Sequence, residues 1–531
     1  MKIKHNADGN RWLRSLARPT HVFASLALFL LVLPAFAATA RPQSSSASPD
    51  EVRKLIKKAV KLTRAESLAE SEKVLRHAIE LDPNSSAAKV ELAYSLCKQR
   101  RLIDAYNLVF PVAEAEKTNA RAFSVLGTVL LTGGRFKEAR AVFFAAIKID
   151  RRQHLAWAGY GLLDFYENRI TDAILNLNEA VLQGPNEPDH AFALAQVSSR
   201  AERYSEAADA YRRFLNISSL TDKDRRARIV SLINFLRYLG QQTGLYKHFG
   251  AEQTEVPFDL EGNRPVIDVK INGSDKPFRF VLDTGSGISV ISDRTAKALR
   301  IKPITRGGFA KGIGGDGKFE IVYGFLREME IGKVALRSVP VYIREFHNSS
   351  QVVDGYLGLS LISKFLTTVD YGNKTFALSR REDDRREFIE NESVSLPLRL
   401  TSSGFLSGEV MLEGIDVPLN FIVDTGASVS VISDRVANNK GIVPYANVEK
   451  LRVIGAAGIT EDVPTYMLPR VTFGPHTRKQ VTAVALDLDL INEASGFEQA
   501  GILGGNFLKN YRLTFDFRNS KVVFTSVNPE N

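Results

Sequence analysis

Two acids in this chain sit where acids are costly. Phe280-Val281-Leu282 and Phe421-Ile422-Val423 are apolar, strand-forming triplets, and each runs straight into Asp-Thr-Gly, at Asp283-Thr284-Gly285 and Asp424-Thr425-Gly426. A carboxylate at the end of a buried strand must be desolvated, and the chain builds this arrangement twice, 141 residues apart. Two carboxylates brought together cannot both ionise readily, so one keeps a proton and the pair titrates as a unit. Around a water molecule, the ionised member is a general base and the protonated member an acid that hydrogen-bonds a carbonyl oxygen. That chemistry hydrolyses an amide without a metal or a covalent intermediate.

The copying continues past the triplets into Ser292-Asp293-Arg294 and Ser433-Asp434-Arg435. A single Asp-Thr-Gly could be an ordinary turn, but two within matched strands mark a duplicated domain. Here the chain resembles the aspartic peptidases, of the retropepsin-like or pepsin-like type, with two lobes in one chain. The resemblance implies catalytic roles for Asp283 and Asp424, with Thr284, Gly285, Ser286, Thr425, Gly426 and Ala427 supporting the loops. It also implies that the hydroxyls of Thr284 and Thr425 bond across the lobe interface. By the same resemblance Ser286 hydrogen-bonds its own Asp, for which Ala427 has no counterpart. Asp293 and Asp434 precede helix-permissive segments and are expected to be N-caps.

The positioning elements follow from pattern. Lobe 1 (255–380) opens with the alternating strand 265–271, and lobe 2 (394–527) repeats the plan with a first hairpin at 410–414. Gly312, Ile313, Gly314 and Gly315 form a glycine-rich hairpin tip, matched in lobe 2 by Gly455, Ala456, Ala457 and Gly458. The first tip satisfies a Gly-x-Gly-x-x-Gly pattern, but no βαβ unit surrounds it, which argues against a dinucleotide site. Both read as flaps that close backbone over an extended substrate, and neither carries a tyrosine. Apolar-apolar-Gly elements at Tyr356-Leu357-Gly358 and Ile502-Leu503-Gly504 and terminal hairpins complete the copies; in the family the former pack beneath the catalytic loops. A charged connector, 381–393, joins the lobes.

Upstream, Ala105, Ala139, Ala173 and Ala207 each follow an acid and fall 34 residues apart, inside Arg-x-x-Asp/Glu-Ala contexts. This resembles the tetratricopeptide repeat. Five repeats are counted over 49–240, the first degenerate with Ser71 at the alanine position, closed by a capping helix over 221–239; 241–254, where the period is lost, reads as a linker. Phe143, Phe144, Tyr160, Phe165 and Tyr211 are expected in the core. The array either binds substrate or a partner protein, or acts as a spacer. The predicted architecture is multidomain: an all-α tetratricopeptide-repeat solenoid followed by two all-β retropepsin-like (acid protease) lobes.

Composition sets the remaining limits. At 531 residues, 44% apolar and 24% charged, the chain has the make-up of a globular protein of several domains. Its +10 charge is partly N-terminal, where Lys2, Lys4, Arg11, Arg14 and Arg18 precede an apolar run over 22–37 and small-residue sites at Ala37 and Ala40. Residues 1–40 read as an export signal followed by a flexible segment, 41–48, which predicts a periplasmic or secreted protein; an uncleaved membrane anchor is the alternative. Neither nucleic acid nor a membrane beyond this signal is an expected partner. The one cysteine, Cys97, allows no intramolecular disulfide and is expected to be buried. The eight histidines show no zinc spacing, and there is no P-loop or Gly-x-Ser-x-Gly, so no metal or cofactor is predicted. The sequence thus points to an exported aspartic endopeptidase; the alternative is a scaffold or peptide-binding protein built on the repeats whose lobes no longer turn over.

Overall fold

The computed structural model describes residues 49–315, 318–346, 353–384 and 395–527. The segments read as export signal and flexible leader, and most of the charged connector, lie outside these residues. The chain divides into two compact units, one ending at Glu116 and the other starting at Lys117.

Five helix pairs run through 49–217. In the first unit they are α1 (Pro49–Arg64) with α2 (Leu68–Leu81) and α3 (Ser86–Lys98) with α4 (Leu102–Ala115). In the second they are α5 (Ala120–Thr132) with α6 (Phe136–Ile149), α7 (His154–Tyr166) with α8 (Ile170–Gln183), and α9 (Pro188–Arg200) with α10 (Tyr204–Ile217). The capping helix α11 (Lys223–Gly240) follows. Every pair turns through one left-handed residue, Glu66, Arg100, Gly134, Asn168 and Glu202, at φ 62°, 60°, 75°, 60° and 59°. The following N–H reaches back to the helix, as from Arg101 to the Leu96 carbonyl (2.9 Å) and from Arg169 to that of Asp164 (2.8 Å), which closes a Schellman turn.

This turn explains the recurring Arg-x-x-Asp/Glu-Ala. The arginine ends the turn and its guanidinium pairs with the acid three residues on, as in Arg101–Asp104 (2.7 Å) and Arg203–Glu206 (3.5 Å). The alanine that follows is fully buried in all four copies. In the degenerate copy, Ser71 is buried too, and its hydroxyl bonds Thr63 Oγ1 (2.7 Å) and the Ala59 carbonyl (3.0 Å). Glycines play the same space-saving part: a Cβ on Gly127 would come within 2.6 Å of the Phe143 ring. Phe143, Phe165, Tyr211 and Cys97 are buried as expected, whereas Phe144 is 48% exposed beneath the Lys148 ammonium. Phe144 lies next to Phe143 on a helix whose buried face is one residue wide at that point, so the neighbouring ring turns outward.

Each lobe is a β-sheet folded around its Asp-Thr-Gly strand, with nine strands in lobe 1 and eight in lobe 2 among the described residues. The strand Phe278–Leu282 pairs in parallel with Gly355–Leu357, and Leu419–Val423 with Gly501–Leu503, so each apolar-apolar-Gly element lies directly beside its catalytic strand. A third sheet of six strands joins the lobes within this one chain. Its centre is the antiparallel pairing of Leu366–Asp370 with Tyr511–Asp516, the first strands of the two terminal hairpins. The stretch expected to be a linker is partly structural: Lys247–Gly250 pairs with Val334–Arg344, and Gln253–Pro257 pairs with Thr375–Ser379 at the edge of the six-stranded sheet. Too short and polar to show a period of its own, it takes its strand form from the edges it covers.

Helix turns of the second unit dock on the lobes with the 34-residue period. Gly134 lies against Asn420, Asn168 Nδ2 donates to the Phe517 carbonyl (3.0 Å), and Glu202 pairs with Lys364. Arg200, stacked 3.8 Å from the Phe165 ring centre, donates to the carbonyls of Leu400 and Thr401. Burial brings its guanidinium down to about 9. Helix α11 lies on the flap hairpin of lobe 1, with Ser231 Oγ 3.0 Å from Thr305 Oγ1 and the Phe235 and Tyr323 rings 4.4 Å apart.

Candidate active site

The two Asp-Thr-Gly loops meet back to back. Thr284 Oγ1 donates to the Val423 carbonyl and Thr425 Oγ1 to that of Leu282, both at 2.7 Å. Each hydroxyl also accepts from the other threonine's backbone N–H, at 3.0 and 3.2 Å. Both threonines are buried, so these four bonds form away from competing water and fix the lobes in register. The backbone N–H of Asp283 donates to Leu357 and that of Asp424 to Leu503, at 3.1 and 3.0 Å, which holds each acid at its strand end.

The carboxyls emerge facing one another. Gly285 N donates to Asp283 Oδ1 (3.0 Å) and Gly426 N to Asp424 Oδ1 (2.7 Å). The glycines are a steric requirement: a Cβ on Gly285 would overlap the Asp424 carboxyl, and one on Gly426 would stand 2.6 Å from Asp283 Oδ1. Burial pushes both acids above the usual carboxylate range, and the neighbouring Asp424 raises Asp283 well above it. At Asp424 the N–H groups of Gly426, Ala427 and Gly285 favour the charged form and work against that burial, and at Asp283 the Gly285 N–H and the Arg344 charge do the same. The two buried carboxyls therefore titrate as a unit, with one proton shared between them.

The surrounding residues differ from some expectations. Ser286 Oγ donates to the Ile288 carbonyl at 2.8 Å, not to Asp283, so the Ser286/Ala427 difference acts on loop shape and not directly on the acids. Ser292 and Ser433 are the N-caps, accepting from Thr295 N (3.0 Å) and Val436 N (3.2 Å). Asp293 and Asp434 fall one position later, in the first turn, because the serine one residue earlier has the extended backbone a cap needs. Three groups went unrecognised. Ser289 and Ser430 accept from Gly358 N and Gly504 N, each at 3.1 Å, tying the apolar-apolar-Gly elements to the loops; their matched places in the copied stretch were the available signal. Arg344, half-buried and close enough to Asp283 for their charges to interact, gave no signal.

The tips converge over the acids. Ala457 N donates to the Ile313 carbonyl (2.9 Å) and Gly315 N to that of Ile459 (3.2 Å). Gly312 and Ala456 are close enough that a Cβ on the first would lie 3.2 Å from that of the second, and Gly314 and Gly455 have no room for one against Gly458 and Ile313. Arg344 Nη1 donates to the Ala456 carbonyl at 2.7 Å, linking the lobe 2 tip to lobe 1. Beneath them Asp283 and Asp424 line a cavity of about 1160 Å³ that extends to helices α9 to α11.

Paired Asp-Thr-Gly loops on two copied lobes, each with a glycine-rich hairpin above, define the acid-protease fold. Residues 267–361 and 408–507 match the aspartyl protease family, and residues 160–220 match the tetratricopeptide repeat. The lobes are thus of the retropepsin-like aspartyl protease family, preceded by tetratricopeptide repeats. Among solved structures the chain is similar to a thermophilic TPR protein of Thermus thermophilus, at 19% identity and a TM-score of 0.30, covering 34% of this chain and 98% of that one. It is similar also to pilF of Pseudomonas aeruginosa, at 18% identity and a TM-score of 0.28, covering 36% and 85%. A comparison with curated proteins finds no match. Among the described residues there is no cluster of acids, histidines and cysteines able to hold a metal ion, and no helix long and apolar enough to cross a membrane.

Proposed function

We propose that the protein is an exported aspartic endopeptidase that hydrolyses peptide bonds with a water activated between Asp283 and Asp424. The observation that carries this reading is the pair of buried acids facing one another across the Gly285 and Gly426 loops, both raised above the usual carboxylate range. Asp424 takes a proton from the water as its oxygen attacks the scissile carbonyl, while Asp283 hydrogen-bonds the carbonyl oxygen and stabilises the charge developing there. The flap backbone, Gly312 to Gly315 and Gly455 to Gly458, opens to admit an extended chain and closes to exclude water. Export rests on the basic, apolar and small-residue order of residues 1–40. The repeats orient polypeptide substrate or a partner protein, and those of the second unit are anchored to the lobes.

Incubating the purified mature protein with a peptide library from acidic to neutral pH tests the reading. Internal cleavage, inhibition by a statine-type compound, and loss of turnover in both Asp283→Asn and Asp424→Asn are expected. Peptide binding without turnover under every condition would instead leave a binding module.

A further inference from the structure

The cavity beneath the flaps is not walled by the lobes alone. Phe192 and Gln196 of α9, Tyr211 of α10, and Arg225 and Arg228 of α11 line it together with Asp283 and Asp424. A substrate that extends from the acids along this cavity to its far wall would meet side chains of the repeat domain.

The charge of that lining is one-sided. Eight arginines and lysines face it against four acids, and two of the acids are the pair that shares a proton. Most of these cations are engaged. Lys364 pairs with Glu202, Arg452 with Glu461 and Arg518 with Glu382. Arg200 and Arg344 are held by backbone carbonyls, and Arg225 stacks 4.8 Å from the Phe192 ring centre. Arg228 differs. It is half-buried, no carboxylate meets it among the described residues, and the groups its charge acts on are the phenols of Tyr211, Tyr323 and Tyr342. Those rings belong to α10 and to two strands of the lobe 1 sheet, so Arg228 stands at the seam between repeat and lobe. A half-buried guanidinium that faces a cavity without a carboxylate partner gains most from an incoming carboxylate, which it can grip with two parallel N–H donors.

We infer that Arg228 is a specificity-determining residue of the cleft, binding a carboxylate of the polypeptide, so that the repeat domain supplies a subsite selecting acidic substrates. The inference rests on the peptidase reading for the word substrate, but binding alone tests it. The carboxylate can come from a Glu or Asp side chain or from a chain end, and peptides with amidated and free C-termini separate the two.

The experiment uses the full mature chain carrying Asp283→Asn, which removes turnover, and fluorescent decapeptide mixtures that differ only in Glu or Gln at matched positions. The Glu mixture should bind about 10- to 100-fold tighter than the Gln mixture, the scale of a charge-assisted bond. Adding Arg228→Gln should erase the difference without weakening the Gln mixture, while Arg228→Lys should retain part of it. Preference that depends only on a free C-terminus assigns Arg228 to the chain end. Equal binding of the two mixtures, or a preference that survives Arg228→Gln in a variant melting at the parent temperature, overturns the inference. Selective binding together with no cleavage by the unmutated chain would overturn the peptidase reading and leave Arg228 where it stands.

Discussion

The two lobes began as copies and ended in different surroundings. Their catalytic loops share the crossed threonine bonds and the glycine N–H on each acid, and differ at Ser286 and Ala427. Their flaps do not match. The lobe 1 hairpin, Thr305–Lys311 with Lys318–Ile331, lies under α11, and Phe235, Leu239, Ile321 and Tyr323 form a buried cluster there. The lobe 2 hairpin carries Ala446–Gly455 along an exposed face, with Val448 wholly exposed. Similar chemistry therefore hangs on one arm braced along its length by a helix and one arm held at its tip but free of any helix. A duplicated sequence preserves a site through its internal bonds, while external contacts make the halves unequal.

The largest expected effect breaks the symmetry of the loops. Asp283→Asn and Asp424→Asn should each lower kcat by ~1000-fold or more, measured on a single cleaved peptide, since neither lobe works alone. Equal loss in both shows one shared site, whereas full activity in either would mean that the lobes do not act together. Gly285→Ala should come close to the same loss, because its new methyl group occupies the position of the Asp424 carboxyl.

Next comes the brace. Phe235→Ala should cost ~3–5 kcal/mol of stability, read by denaturant unfolding. It should raise amide exchange in the lobe 1 hairpin and leave the lobe 2 hairpin unchanged, and equal loosening of both would contradict the braced-and-free contrast. Thr284→Val or Thr425→Val should each cost ~1–3 kcal/mol by stranding a buried carbonyl and a buried N–H. The two losses should be similar, since the crossed bonds are symmetric.

The smallest effect concerns pH. The folded-state pKa of Asp283 is raised, so folding favours its protonated form; this stabilisation is complete below the ordinary carboxylate range, about 4, and is lost as pH rises through the raised value. The melting temperature of the parent should therefore decline across that window, and Asp283→Asn should flatten the decline. Activity should fall along the same rising limb, where the shared proton leaves.

Local pattern was enough for much of this. The 34-residue alanine period marked the helix pairs, since a small residue is needed wherever two helices close on one another. Asp283 and Asp424 stood out because a strand-end acid is costly, and the copy 141 residues away made coincidence an inadequate account. Ser286 and the N-caps were less legible: which acceptor a hydroxyl finds depends on backbone direction a residue or two away, which spacing alone does not specify. Phe144 and Phe143 are the same residue type side by side, and only the packing of α6 decides which one is buried.

What the linear order of residues settled by itself was composition-level and periodic: repeated helices, duplicated lobes, and two acids destined for one place. Only tertiary structure decided that the two carboxyls are buried against one another and share a titration, because that depends on N–H groups and apolar walls supplied by loops far apart in the chain. It alone set α11 against one flap and brought Arg228 into the cavity that holds the acids. Such contacts arise from surface complementarity between segments far apart in the chain, and neither local pattern taken singly encodes the other.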